Sequence, residues 1–199
     1  MSVHVHLVHG ILDPVGHAGL LKLVPYLQQA GFDVRVPDYG LITAVETRLV
    51  NPIMTRCLRP YMEPGDVYIG HSNGCAIGYD LVASGAWDLA GLVLINAALK
   101  RDIKLPGRMW ADVYYNEGDD ATVAAVAAAA IGLTDPVWGS MGHGGYEGSN
   151  PLITNIDCGH PAPTDLPAVS GHGDIFTDAK ITAWAPFIVR RILKHLRTP

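Results

Sequence analysis

The sequence predicts one α/β domain, built on a mostly parallel sheet of about six strands with helices on both faces. Apolar runs of strand length alternate along the chain with stretches of helical periodicity, which is the pattern of a parallel sheet with crossover helices. The chain has 199 residues, of which 49% are hydrophobic and 17% charged. That composition suits a single well-packed domain over residues 1–199.

The first half of the chain contains three predicted strands and two helical segments. Apolar runs predict the strands at residues 4–8, 32–36 and 67–70, with a helix between the first two. From 41 to 62 the pattern is helical again, and Pro52 is predicted to start a second helical piece. The apolar positions of this segment recur four residues apart, at Val45, Leu49, Ile53 and Cys57.

The second half continues the alternation. Strands are predicted at residues 91–95, 111–115 and 152–156, and a helix begins at Asn73. Only about fifteen residues connect the first two of these strands, which leaves no room for a large lid domain. An alanine-rich helix and a long glycine-rich loop precede the last strand. The final helix has an apolar face formed by Ile181, Trp184, Ala185, Ile188 and Ile192.

Charge and cysteine content narrow the partners and the compartment. A formal net charge of -5, without a basic cluster before the last helix, argues against a nucleic-acid partner. Three cysteines in no metal-binding or redox spacing favour reduced thiols and a cytoplasmic location. Neither an export signal nor an apolar run of membrane-spanning length is found, so we expect no membrane insertion.

Residues 70–74 carry the most specific chemical signal in the chain. They read Gly-His-Ser-Asn-Gly, of the form G-x-S-x-G, and join a predicted strand to a predicted helix. At such a turn the serine backbone is strained, its hydroxyl is exposed at the sheet edge, and flanking side chains would collide. The alternative is that Ser72 only caps the helix and the glycines only form a turn.

Through this motif, and over nearly its whole length, the chain resembles the α/β-hydrolase family. The resemblance implies the α/β-hydrolase fold and a catalytic triad in the chain order serine, acid, histidine. In such a triad the histidine takes the proton of the weakly nucleophilic serine, and the carboxylate orients the histidine. The resemblance makes Ser72 the nucleophile.

The family order implies an acid after the fifth strand. We choose Asp120, because family members often have a valine three residues beyond the acid, and Val123 stands there. Asp119 is the close alternative and Glu117 the next. Either aspartate could instead cap the alanine-rich helix. Two further acidic residues follow other strands and are weaker candidates, Asp102 and Asp157.

The histidine is expected in the loop between the last strand and the final helix. We choose His172, because Gly171 and Gly173 allow a tight loop that carries the imidazole over the sheet edge. His160 lies in the same loop and is the alternative. His143, in the glycine-rich loop, is a third candidate that fits the pocket or the surface better.

The attacked carbonyl becomes an oxyanion that needs backbone N–H donors. One donor is predicted to be Asn73, the residue after the nucleophile. His9 and Gly10 resemble the family signature after the first strand, where the following residue donates, so Ile11 is the second donor and Leu12 the alternative. An ordinary strand end would explain His9 and Gly10 equally simply.

Three histidines in and after the first strand pose a rival interpretation. His4 and His6 share a face of the strand and could ligate zinc, but His9 falls on the opposite face. No carboxylate follows in a metal-binding pattern, and hydrogen-bonded strand histidines explain the residues more simply. We therefore expect no metal.

These residues together predict a serine hydrolase that cleaves a small-molecule carboxylic ester or thioester through an acyl-enzyme, without a cofactor. A non-catalytic binding module of the same fold is one alternative; amide hydrolysis, acyl transfer or a lyase reaction by the same triad is another. The oligomeric state stays open. Besides Ile11, a largely apolar substrate pocket is predicted to include Leu12, Tyr39, Met109, Trp110, Trp138 and Tyr146.

Overall fold

The fold was obtained as a computed structural model, which describes residues 3–11, 19–37, 40, 43–84, 88–162 and 165–197. Its strands are β1 (His4–Val8), β2 (Asp33–Arg35), β3 (Val67–His71), β4 (Gly91–Ile95), β5 (Trp110–Tyr115) and β6 (Ile153–Asp157). They form one sheet in the order β2-β1-β3-β4-β5-β6, and every neighbouring pair is parallel. The predicted six-stranded parallel sheet is confirmed.

Helices cover both faces of this sheet. They are α1 (Val24–Gln29), α2 (Thr47–Leu58), α3 (Asn73–Ala83), α4 (Asp120–Ala130), the single-turn α5 (Met141–Gly144) and α6 (Asp178–Arg197). Side chains alternate along each strand, so that Val67 and Ile69 face a core with α1 and α6, whereas Tyr68 faces a core with α3 and α4. None of the helices in the described part of the chain is long and apolar enough to span a bilayer.

The connection between β4 and β5 is short and irregular. Residues 96–109 run from one strand towards the next without a helix. No lid domain is inserted at this point, as the spacing in the sequence predicts.

Helix α2 differs from its prediction in two ways. It is one continuous helix with Pro52 inside it, rather than two pieces. Its apolar stripe also faces solvent, since Leu49 and Ile53 are exposed, whereas the polar residues Thr47 and Asn51 are buried. The inner face is polar because it meets buried polar groups near Ser72.

Candidate active site

Ser72 lies at the sharp turn between the carboxyl end of β3 and the start of α3. Its backbone has φ 54° and ψ -121°, a conformation that residues other than glycine rarely adopt. A Cβ at Gly74 would lie 2.1 Å from the Val8 carbonyl oxygen, so only glycine lets α3 begin this close to β1. The strained turn expected from the sequence is therefore found at Ser72.

The chain after β1 approaches Ser72 from the other side. A Cβ at Gly10 would lie 2.8 Å from the Ser72 Cβ and 3.3 Å from its Oγ. Any larger residue at position 10 would collide with the serine side chain. The backbone that continues into Ile11 therefore passes directly beside Ser72.

Asp119 and His172 are in contact at the same edge of the sheet. His172 Nδ1 lies 2.9 Å from Asp119 Oδ1 and 3.0 Å from Oδ2. The Asp119 side chain is fully buried, whereas 26% of the His172 side chain is exposed. Because an ionised carboxylate can only accept, the contact fixes the proton on Nδ1 and makes Nε2 the acceptor nitrogen of the neutral ring.

The carboxylate on His172 belongs to Asp119 and not to Asp120, which is the residue that the sequence favours. Asp119 is the N-cap of α4, and its Oδ1 accepts a hydrogen bond from the Thr122 N–H at 3.2 Å. The cap geometry turns this side chain back over the helix start, whereas Asp120 is the first helical residue and is exposed. The sequence analysis treats helix capping and contact with the histidine as alternatives, but Asp119 does both.

Asn96 completes the contacts of Asp119, and sequence reasoning misses it. Its Nδ2 donates to Asp119 Oδ2 at 2.9 Å, and its backbone φ is 46°. Burial raises the pKa of Asp119, but hydrogen bonds from His172, Asn96 and the Thr122 N–H outweigh it and hold that pKa below its ordinary value. The available signal is position, because Asn96 is the first polar residue after the apolar strand β4.

Two side chains at the sheet edge hold the loop that carries His172. His71 Nε2 donates to the His172 carbonyl oxygen at 2.9 Å, and Asn116 Nδ2 donates to the Gly171 carbonyl oxygen at 3.3 Å. Burial, with a smaller effect of the neighbouring His172, lowers the pKa of His71 to about 3, so that its ring is neutral near pH 7. The His71 and His172 rings are 4.8 Å apart. Ser72 directly follows His71 in the chain, so its backbone lies one residue from this contact.

Solved structures with a similar fold cover nearly the whole chain, although no protein-family model and no curated protein matches the sequence. Alpha/beta hydrolase domain-containing protein 10 from mouse is 12% identical, with a TM-score of 0.61 over 96% of this chain and 90% of that chain. A structure from LipS and LipT, two metagenome-derived lipolytic enzymes, is 14% identical, with a TM-score of 0.57 over 100% and 96%. An extracellular alpha/beta-hydrolase from a Paenibacillus species is 10% identical, with a TM-score of 0.52 over 98% and 99%. The chain has the α/β-hydrolase fold.

The α/β-hydrolase fold accounts for the positions of the two expected oxyanion donors. Asn73 is the first residue of α3, so its backbone N–H lies at the start of that helix, directly after Ser72. Ile11 follows Gly10, which lies against Ser72. Leu12, the alternative donor, lies outside the described residues, and the donor roles of Asn73 and Ile11 stay predictions.

The Asn73 side chain belongs to a buried polar network beside the strained turn at Ser72. Its Oδ1 accepts hydrogen bonds from Asn51 Nδ2 and Trp138 Nε1, both at 2.9 Å, and its Nδ2 donates to Asn51 Oδ1. Asn51 Nδ2 also donates to Asp135 Oδ2 at 2.8 Å. A buried amide requires such partners, so the network turns the polar face of α2 inward and ties this helix to the residue after Ser72.

Among the predicted pocket residues, Trp138 lies beside the strained turn, but Met109 and Trp110 do not. Trp110 begins β5, about 16 Å along the strand from its carboxyl end. Its ring stacks on His195 with the centroids 4.2 Å apart. Met109 directly precedes it and is buried in the core. Since the strands are parallel, both residues lie at the edge opposite Ser72, and their assignment to the pocket is wrong.

Tyr146 also lies away from the carboxyl edge. Its backbone N–H donates to Asn155 Oδ1 at 2.8 Å, and its hydroxyl accepts from the Asn150 N–H at 3.2 Å. Asn155 is the middle residue of β6, so Tyr146 lies beside the middle of the edge strand rather than over its end. Tyr39, the remaining predicted pocket residue, lies outside the described residues.

The alternative site residues have other surroundings. The His160 side chain is 79% exposed and lies 3.4 Å from Asp157, Glu117 is exposed, and His143 lies on α5.

In β1, His6 Nε2 donates to Asp66 Oδ2 at 2.9 Å. Among the described residues no group of three or more histidine, cysteine or acidic side chains is arranged to hold a metal ion.

Proposed function

We propose that the protein is a serine hydrolase that cleaves a carboxylic ester or thioester through an acyl-enzyme. One observation carries the proposal: the Asp119–His172 contact and a serine in a strained backbone conformation lie at the same edge of the sheet, where its strands end. A histidine can activate a serine hydroxyl as a general base when a buried carboxylate fixes its tautomer and orientation.

The first half of the reaction forms the acyl-enzyme. Ser72 Oγ attacks the substrate carbonyl carbon while His172 Nε2 takes the hydroxyl proton, and Asp119 stabilises the resulting imidazolium. The carbonyl oxygen becomes an oxyanion, which the N–H groups of Asn73 and Ile11 stabilise, each lowering the barrier by about 3 kcal/mol. The bond to the alcohol or thiol then breaks, and the leaving group departs with the proton from His172.

The second half releases the acid. His172 takes a proton from water as the water oxygen attacks the acyl carbon, and the same N–H groups stabilise the second oxyanion. The bond to Ser72 Oγ breaks, and the proton on His172 returns to that oxygen. We assign the reaction to the cytoplasm, because the three cysteines carry free thiols, which a reducing compartment preserves.

The proposal is tested with a fluorophosphonate that reacts with activated serines. Peptide mass spectrometry should find one stoichiometric adduct, on Ser72, and the protein should turn over p-nitrophenyl esters and the corresponding thioesters of increasing chain length. In Ser72→Ala the adduct should be absent and kcat lower by about 10⁶-fold. An intact protein that forms no adduct on Ser72 and hydrolyses none of these substrates would contradict the proposal and favour a binding module.

A further inference from the structure

The outer face of α2 is apolar although it faces solvent. Val45, just before the helix, and Leu49 and Ile53 within it form a row four residues apart, with exposed fractions of 58%, 74% and 55%. Single apolar residues are common on protein surfaces. Three exposed aliphatic side chains in one row are instead typical of a contact surface.

The row continues onto the end of α4. Arg48 Nη1 donates to the carbonyl oxygen of Gly132 at 2.6 Å, which joins the two helices at this point. Gly132 lies between two further exposed aliphatic residues, of which Ile131 is 72% and Leu133 46% exposed. The apolar patch is defined here as Val45, Leu49, Ile53, Ile131 and Leu133.

The charges within α2 are positive, and Glu46, which precedes its first residue, is the acidic neighbour of the patch. From residue 47 to 62 the sequence contains three arginines and no acidic residue, although the formal net charge of the chain is -5. Arg48 and Arg56 are exposed and lie two helical turns apart, beside the apolar row. A partner that complements this surface carries negative charges at its own surface and apolar groups directly behind them.

A second copy of this chain brings its own arginines to the surface. In a two-fold dimer with antiparallel α2 helices centred on Pro52, Arg48 of each copy faces Arg56 of the other, since each lies four residues from Pro52. Like charges at such a contact oppose association. An anionic bilayer meets both requirements, because its phosphates pair with arginine while aliphatic side chains enter the boundary of the acyl chains.

We propose that the outer face of α2 and the apolar patch bind the surface of an anionic lipid bilayer. The helix lies in the plane of the interface, so the contact requires no membrane-spanning segment. The inner face of α2 contacts Asn73 through Asn51, and the bound orientation therefore brings the sheet edge with Ser72 close to the lipid. The contact itself does not depend on any reaction at Ser72.

The experiment measures sedimentation of the full chain with vesicles. We expect binding to equimolar phosphatidylcholine and phosphatidylglycerol, weaker binding at high salt, and little binding to phosphatidylcholine alone. Leu49→Glu with Ile53→Glu should lower the partition coefficient at least about tenfold, and Arg48→Gln with Arg56→Gln by about fivefold per arginine. Ser72→Ala should bind like the unaltered chain, which separates this test from that of the hydrolase.

A matched double variant on another helix controls for added negative charge. Val123 and Val126 of α4 are also exposed, and Val123→Glu with Val126→Glu should leave binding within about twofold of the unaltered chain. Circular dichroism and thermal melting verify that all variants fold. Absence of binding to anionic vesicles, or equal binding by the α2 variants, overturns the proposal. So does a concentration-dependent dimer that the same glutamates abolish, since a second copy then covers the face.

Discussion

Asp112 and Asp119 are both fully buried and both contact a histidine, yet their surroundings differ. Asp112, inside β5, accepts hydrogen bonds from Arg191 Nε and Nη2, both at 2.6 Å, and lies 3.1 Å from His195 Nε2. Asp119, beyond the end of β5, contacts His172. The two histidine side chains are similarly exposed, at 23% and 26%, so exposure does not distinguish the pairs.

The neighbours of each pair make the difference. Asp112 is neutralised by a permanent cation on α6, and its two hydrogen bonds raise the pKa of Arg191 above the ordinary value. His195 is stacked flat on Trp110, so this group fastens the last helix to the sheet. Asp119 lies at the edge that carries the strained Ser72. The proposed function therefore rests on the strained serine at the same edge, and not on a buried carboxylate with a histidine alone.

The largest expected effect is that of removing the negative charge of Asp119. Asp119→Asn should lower kcat by about 10⁴-fold, because the amide no longer fixes the His172 tautomer or stabilises its charged form. Asp120→Asn is the matched control, one residue away and exposed, and should change kcat by less than about twofold. Ester kinetics on both variants measure this. The opposite ranking would restore Asp120 as the acid.

The second effect concerns stability rather than activity. Asp112→Asn leaves the Arg191 guanidinium without its charged partner and should lower the free energy of unfolding by about 3 kcal/mol. Urea denaturation measures this loss, while kcat of the folded fraction should stay within about twofold. A large loss of kcat without a loss of stability would contradict the structural role assigned to Asp112.

His71 extends the comparison, because its ring contacts a backbone carbonyl oxygen rather than a carboxylate. The pKa of His71 is lowered from 6.5 to about 3, so between these values the unfolded chain binds a proton that the folded chain does not. Stability is therefore lost as pH falls through this window, by about 1.4 kcal/mol per pH unit for this group. His71→Gln keeps a donor for the His172 carbonyl and should remove this part of the loss. Denaturant titrations between pH 6 and 4 measure the free energy of unfolding of both chains. If it falls with pH equally steeply in the two, within the precision of such titrations, the prediction is wrong.

The sequence predicts most of the fold, because the signals for it are local. Apolar runs locate the six strands, and the glycines around Ser72 locate the strained turn, since both depend on neighbouring residues. The carboxylate that contacts His172 lies one position before the predicted acid, for a related reason. Spacing identifies a pair of adjacent aspartates, but only the geometry of the helix cap decides that Asp119 turns inward and Asp120 outward.

The errors arise where the outcome depends on distant contacts. The periodicity of α2 shows that its apolar residues share a face, but burial of the other face follows from Asn51 binding Asn73 and Asp135. The assignment of Trp110 to the pocket is wrong for a similar reason. An aromatic side chain suits a pocket, but Trp110 begins a parallel strand and therefore lies at the edge of the sheet opposite Ser72. Asn96 cannot be identified from the sequence, because only its contact with Asp119 distinguishes it from other residues at strand ends.

One carboxylate both begins α4 and orients His172. The Thr122 N–H and the His172 ring share Asp119, so fraying of the first helical turn also disturbs the contact that orients His172. In the proposed reaction, local opening of this turn removes the oriented base well before global unfolding. The amide hydrogen of Thr122 is accordingly a built-in probe, whose exchange rate reports the fraction of molecules with an intact site.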